Sequence, residues 1–216
     1  MAVVKYDSKS STTDRSGTFS WSHTVGNYNN RILVVSIGFR DGSGGRVVSS
    51  VTYNGDAMTK AVGDSSGGYY SSIYYILNPD VGTHNITVTC SVSSDACISC
   101  GAVSFYNVLQ LAPITGSNSG YGTAISVSVA GKRSGYAMVD SVFAWDNSDG
   151  QTPAYSQIYE YNWDDGENFG TYASYRTGCI GTSSLTWTGT GNTNWRSYGV
   201  GIYPTTSGGG FLINFI

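Results

Sequence analysis

Residues 31–39 read Arg31-Ile32-Leu33-Val34-Val35-Ser36-Ile37-Gly38-Phe39, and this stretch decides the fold. Every second side chain is large and apolar (Leu33, Val35, Ile37, Phe39), while the positions between them fade from Ile32 and Val34 to Ser36 and Gly38. A period of two sends alternate side chains to opposite faces of an extended chain, so the segment is a core strand of a sheet. The same period governs its surroundings. The segments 47–53 and 57–62 are separated by Asn54-Gly55, a pair that tolerates the positive φ of a tight turn, and they give the clearest hairpin signal in the chain. The strand 69–77 is stopped by Asn78-Pro79-Asp80, and the strand 83–90 alternates Ile86, Val88 and Cys90 against Asn85, Thr87 and Thr89. Further strands are predicted at 98–106, 123–130, 136–145, 155–161, 170–176, 183–187 and 198–203.

Composition supports that reading. The chain has 216 residues, of which 40% are hydrophobic and 12% charged, with 29 glycines and 17 tyrosines. Long helices, coiled coils and charge-driven disorder all need more Lys and Glu than this. Nowhere do apolar residues recur at three and four over a helix-length window, so an all-β, jelly-roll-like antiparallel β-sandwich is expected. It should span residues 1–204, followed by a Gly-rich linker at 205–210 and an apolar terminal strand at 211–216. A net charge of −3 provides no basic field for a nucleic-acid backbone. No apolar run reaches the ~18–20 residues that cross a bilayer. Met1-Ala2-Val3-Val4-Lys5 lacks the apolar stretch of a secretion signal, while the Ser, Thr, Gly, Asn and Tyr content is that of surface β-proteins. Virion proteins combine these two features, because they leave the cell on the assembled particle; an extracellular protein that had lost its leader would combine them too.

A resemblance adds to this. Trp21-Ser22-His23-Thr24-Val25, Asn30-Arg31-Ile32-Leu33-Val34-Val35, Val51-Thr52-Tyr53-Asn54-Gly55-Asp56-Ala57-Met58-Thr59, Tyr75-Ile76-Leu77-Asn78-Pro79, Gly82-Thr83-His84-Asn85-Ile86 and Gly101-Ala102-Val103-Ser104-Phe105 resemble jelly-roll-like modules of extracellular, uncultured-lineage and phage structural proteins. The likeness covers the first half, weakens after Gly116 and returns at Tyr198-Gly199-Val200-Gly201-Ile202-Tyr203. Its landmarks are structural, and it implies surface display, adhesion or particle structure with no shared catalytic motif.

Reactive groups are scarce. Cys90, Cys97, Cys100 and Cys179 permit two disulfides or stay buried thiols. If oxidised, a hairpin turning at Ser93-Ser94 would set Cys90 opposite Cys97 and leave Cys100 for Cys179. Cys97 and Cys100 have the spacing of half a zinc site, yet no second pair accompanies them, so no metal site is expected. The only glutamates, Glu160 and Glu167, surround one loop and do not face each other as glycosidase carboxyls must. His23 and His84 lie without a Gly-x-Ser-x-Gly elbow, which leaves no ground for a serine triad. The protein is therefore expected not to be an enzyme. Trp145, Tyr159, Tyr161 and Trp163 beside Asp164, Asp165 and Asn168 have the chemistry of a carbohydrate site, with aromatic faces for sugar rings and acceptors for hydroxyls. The same acidic loops offer oxygens to Ca2+, although the spaced Asp-x-Asp-x-Asp-Gly loop is missing; no other cofactor is expected.

The sharpest signal is Phe211-Leu212-Ile213-Asn214-Phe215-Ile216 after Ser207-Gly208-Gly209-Gly210. Large apolar side chains gain roughly 1.5–3 kcal/mol each on burial, so these residues either close the chain's own sandwich or add a strand to a neighbour. Phe211, Ile213 and Phe215 would then form one face, with Leu212, Asn214 and Ile216 on the other. The expected role is structural: a virion component such as a capsid decoration or tail subunit, or an extracellular filament, joined to itself or to other virion proteins. The alternative is a carbohydrate-binding or adhesion module with surface glycans as partners.

Overall fold

The chain-wide alternation becomes fifteen strands and, among the described residues, no helix. The computed structural model describes residues 2–14, 17–40, 47–66, 69–91, 98–145, 151–163 and 169–205, with backbone alone at 65, 66, 162 and 163. The strands are β1 (Lys5–Asp14), β2 (Thr18–Val25), β3 (Ile32–Arg40), β4 (Val48–Tyr53), β5 (Asp56–Ala57), β6 (Thr59–Ser66), β7 (Tyr69–Leu77) and β8 (Gly82–Cys90). They continue with β9 (Ile98–Tyr106), β10 (Ile114–Ala130), β11 (Tyr136–Trp145), β12 (Thr152–Pro153), β13 (Ser156–Trp163), β14 (Phe169–Cys179) and β15 (Thr182–Ile202). An outer sheet has the order β2-β8-β4-β5, a central sheet β1-β9-β3-β7-β6, and a third sheet β10-β15-β11-β14-β13 with β12 attached to β15. All pairings are antiparallel.

The two faces of β3 explain the layering. Leu33, Val35, Ile37 and Phe39 pack toward the outer sheet with Trp21, Val51, Tyr53, Ile86 and Val88. Ile32 and Val34 pack toward the third sheet with Val103, Phe105, Val139, Ala173 and Val200. The central sheet is thus covered on both sides, and β3 and β9 are buried along all but their last residue. The predicted all-β antiparallel sandwich is present, with a third sheet in addition to the expected pair. The fading face of β3 is where that sheet comes close. Ser36 Oγ donates to the Asp140 carbonyl at 3.0 Å. A Cβ on Gly38 would lie 2.7 Å from the Thr171 side chain, and one on Gly101 2.3 Å from the Tyr159 ring.

Asn54 and Gly55 take φ values of 51° and 90°, and Tyr53 pairs with Asp56 as a two-residue turn requires. The hairpin is short because the chain changes sheets at Met58, so the predicted strand 57–62 is divided between β5 and β6. β8 and β9 do not pair as a hairpin, and Cys97 lies outside the described residues. β8 lies in the outer sheet with Cys90 opposite Val48, whereas β9 lies in the central sheet with Cys100 opposite Ile37. Between β8 and β9 the chain passes from the outer to the central sheet.

The strands predicted at 183–187 and 198–203 are one strand, β15, of 21 residues, beside the 17 residues of β10. Their register runs unbroken from Ile114↔Gly201 to Gly122↔Thr193 and resumes at Ala124↔Thr188. Thr123 therefore faces four residues, 189–192, and the ribbon turns back over its own sheet there. The returning part, residues 124–130 with 182–188, forms an arm. Ile125 and Trp187 cover Val142, Ala144 and Tyr172. Val127, Val129 and Leu185 cover Tyr136, Met138 and Cys179. Asn118 Nδ2 donates to the Ser126 carbonyl at 3.0 Å, joining the two levels of β10.

Chain entry and exit meet at Asn107, whose φ is 62°. Its Nδ2 donates to the Val3 carbonyl at 2.7 Å, and its own carbonyl accepts the Thr205 N–H at 3.0 Å. Val108 and Pro204 form a bridge next to it.

Candidate functional site

The strand registers give the molecule two unlike ends. In the central sheet Arg40 is opposite Tyr69, and Ile98 is opposite both Phe39 and Asp14. In the third sheet Phe169 is opposite both Trp145 and Trp163. The connections 15–16, 41–46, 67–68, 92–97, 146–150 and 164–168 all leave from these residues, hence from one end. Connections at one end of a rigid sandwich are where such folds carry recognition. The opposite end holds Asn107, Val3 and Thr205.

Aromatic rings form the floor of the loop-bearing end. Tyr69 from the central sheet stacks on Trp145 from the third, with centroids 4.9 Å apart and planes 18° from parallel. Phe143 lies 4.8 Å from Tyr69 and 5.8 Å from Phe169. Phe143 and Phe169 are buried, whereas Tyr69 and Trp145 are half-buried.

The predicted carbohydrate residues are only partly gathered here. Trp145 belongs to the ring cluster. Tyr159 does not: a bulge between Gln157 and Tyr159 turns both Ile158 and Tyr159 inward, where they meet Gly101. Burial pushes the Tyr159 hydroxyl well above its ordinary pKa, and it offers no face to a sugar. Tyr161 is half-buried opposite Thr171. The Trp163 side chain and residues Asp164, Asp165 and Asn168 lie outside the described residues, as do Glu167 and the carboxylates considered for Ca2+. Among the described residues no group of three His, Cys, Asp or Glu side chains could hold a metal. Glu160 is exposed and accepts from Gln157 Nε2 at 3.0 Å.

Cys90, Cys100 and Cys179 are buried thiols. Cys100 belongs to the core between the outer and central sheets and Cys179 to the core beneath the arm, so the Cys100–Cys179 bond is not made. Cys97 lies outside the described residues, and so do Phe211, Leu212, Ile213, Phe215 and Ile216.

Two buried polar centres were not foreseen. The first is His23 on β2. Trp21 Nε1 donates to Ser10 Oγ at 3.0 Å, which leaves that hydroxyl to donate to His23 Nδ1 at 2.8 Å. Nε2 faces the hydroxyls of Ser8 and Ser104, each at 3.2 Å, and Ser104 donates to Asp7 Oδ2 at 2.8 Å. Burial lowers the His23 pKa to about 4, outweighing the opposing pull of Asp7. A neutral ring fixed by three serines closes the gap between β1 and β2 and is a poor proton acceptor. Its parity was the available signal, since His23 continues the inward series Phe19, Trp21 and Val25.

The second is Asp140 on β11, facing the arm. Oδ1 accepts from the Ser174 N–H at 2.5 Å and Ser174 Oγ at 3.1 Å, and Oδ2 accepts from Trp187 Nε1 at 2.8 Å. Complete burial still pushes its pKa up to about 7, although each donor favours the ionised form. Asp140 thereby ties the arm to β11 and β14.

Comparison with known protein families, with curated proteins and with solved structures finds no match.

Proposed function

We propose that the protein is a non-enzymatic structural subunit of a virion, as a capsid decoration or tail component, or of an extracellular filament, and that its terminal strands make the subunit contacts. The observation that carries this is the polarity of the molecule. Thr205, the last described residue, is clamped on Asn107 beside Val3, at the end opposite to the loops. The apolar segment 211–216 follows Thr205 in the sequence, and attachment through it would leave the other end free for display. The strand order is in keeping with this reading. The strand orders β1-β9-β3-β7 and β2-β8-β4-β5 over residues 5–106 support a jelly-roll reading, an architecture used by capsid and lectin domains alike. Light scattering and electron microscopy on the full chain and on a version ending at Ser207 test it. Assemblies that disappear on truncation are expected; a full chain that stays monomeric at high concentration would overturn the proposal.

A second reading, a glycan-binding or adhesion module, is favoured by the half-buried Tyr69–Trp145 stack at the loop-bearing end. Binding on a glycan array that disappears with Trp145→Ala would put this reading first.

A further inference from the structure

The assembly reading just given leaves open where a donated strand would bind, and the sheet edges differ in how well they are guarded. Open edges normally carry Lys, bulges or a cover that stops another chain from pairing. β1 has Lys5, Lys9 and a bulge between Tyr6 and Ser8, and Lys9 Nζ reaches the Gln157 carbonyl at 2.6 Å. β6 has Lys60 and a bulge beside it. β13 has its bulge and Glu160. β2 is tied across to β1 where the Ser8 hydroxyl donates to the Thr24 carbonyl, and β5 is two residues long. The first part of β10 has none of these. From Ile114 to Gly122 it carries no charged residue, keeps an unbroken register with β15 on one side, and is the last strand of its sheet on the other.

Exposed apolar side chains flank it. Leu111 and Tyr121, at its two ends, are 61% and 67% exposed. Ser117, Asn118 and Ser119 line an open, polar cleft of about 440 Å3 with Asp64 of β6 and with Arg196 and Tyr198, the cross-strand partners of Ser119 and Ser117 on β15. The last described residues lie nearby: Leu109 N–H donates to the Tyr203 carbonyl at 2.8 Å, which sets them beside the connection that leads into Ile114. Six residues from Thr205 to Phe211 reach at most about 20 Å.

We propose that the free edge of β10, residues 114–122, is the acceptor for residues 211–216 of a second copy of this chain. The direction of the strands decides for a second copy. β10 runs away from the exit end, so the segment of the same molecule would have to lie parallel to it, the less stable pairing. A neighbouring molecule brings the segment in antiparallel, with alternate side chains directed at Tyr121 and Leu111. Donation of this kind is head-to-tail and propagates.

Hydrogen exchange on the full chain and on a chain ending at Thr205, together with the double variant Ser117→Lys/Ser119→Lys, tests the assignment. Amides within 114–122 should exchange at least about tenfold more slowly in the assembled full chain than in the shortened one. The double variant should stay monomeric at full length, while its shortened form keeps the Tm of the shortened parent. Assembly that requires 211–216 but leaves exchange at 114–122 unchanged would overturn this acceptor and spare the assembly reading. A monomeric full chain with 114–122 protected would mean pairing within one molecule and would overturn both. A monomer without protection there would also overturn both.

Discussion

Gly38 and Gly101 carry no side chain, and that absence sets how near the third sheet can approach the central one. A methyl group at either would meet Thr171 or Tyr159 well inside contact distance. Gly38→Ala should therefore cost about 1–3 kcal/mol through overpacking. Gly55 gives a useful contrast, because nothing lies within 4 Å of its missing Cβ and its φ is 90°. Gly55→Ala should cost about 1 kcal/mol through backbone strain alone. Urea titration distinguishes them if Gly38→Ala is also placed in a Thr171→Ser background, which removes Cγ2, one of the two Thr171 atoms at 2.7 Å, and so recovers part of the loss, with no bearing on Gly55. A Gly38→Ala protein as stable as its parent would show that the two sheets can separate without cost. In the sequence these glycines mark where a face fades. The partners that fill the space come from distant strands, and no local pattern announces them.

At the scale of elements, three strands read from the sequence coincide with those found: 69–77, 98–106 and 136–145 are β7, β9 and β11. β1 was missed entirely. Lys-Tyr-Asp-Ser-Lys-Ser-Ser-Thr-Thr-Asp shows no apolar alternation, and β1 is held by its ladder to β9 and by serine contacts to His23. In the sequence β15 reads as two strands because Gly189 and Gly191 interrupt it, and that interruption is the turn of the arm. Tyr159 was assigned to a surface site because a bulge, which inverts the faces of a strand, leaves no mark in a period of two. The arm makes a prediction of its own. Trp187→Phe keeps the ring contacts with Tyr172 but removes the donor to Asp140 Oδ2. The loss should be about 1–3 kcal/mol and larger at pH 8 than at pH 5, since the bond is stronger to an ionised carboxylate. Thermal melts at the two pH values check this, and an equal loss at both would argue that Asp140 does not titrate between them.

At the scale of the whole molecule, the two buried titrating centres oppose each other. His23 has a folded pKa of about 4 against 6.5 for an ordinary histidine, so between those values the unfolded chain holds a proton that the folded one lacks. Its contribution to stability is full above pH 6.5 and is lost as pH falls toward 4. Asp140 has a folded pKa of about 7 against 3.8, so between those values the folded chain holds the extra proton. Its contribution is full below pH 3.8 and is lost as pH rises toward 7. Each shift corresponds to roughly 3–4 kcal/mol, so the two largely cancel between about pH 4 and 6.5. The protein should have a nearly flat stability profile there. Asp140→Asn should unmask a profile that rises with pH, and His23→Gln one that falls with pH, both followed by urea titration at half-unit steps. A flat profile in either variant would mean that the corresponding group does not titrate as its surroundings dictate.

The clamp at Asn107 has a further consequence for connectivity. Val3 and Thr205 bond to the same residue, so the path by which the chain enters and leaves is not what defines the architecture. A circular permutant, with Thr205 joined to Ala2 through a few glycines and new ends opened between Trp145 and Gln151, would keep every described strand pair. It should fold to the same β-rich circular dichroism spectrum and melt cooperatively. Its ends would then emerge at the loop-bearing end, which turns the molecule around with respect to whatever it is fused to.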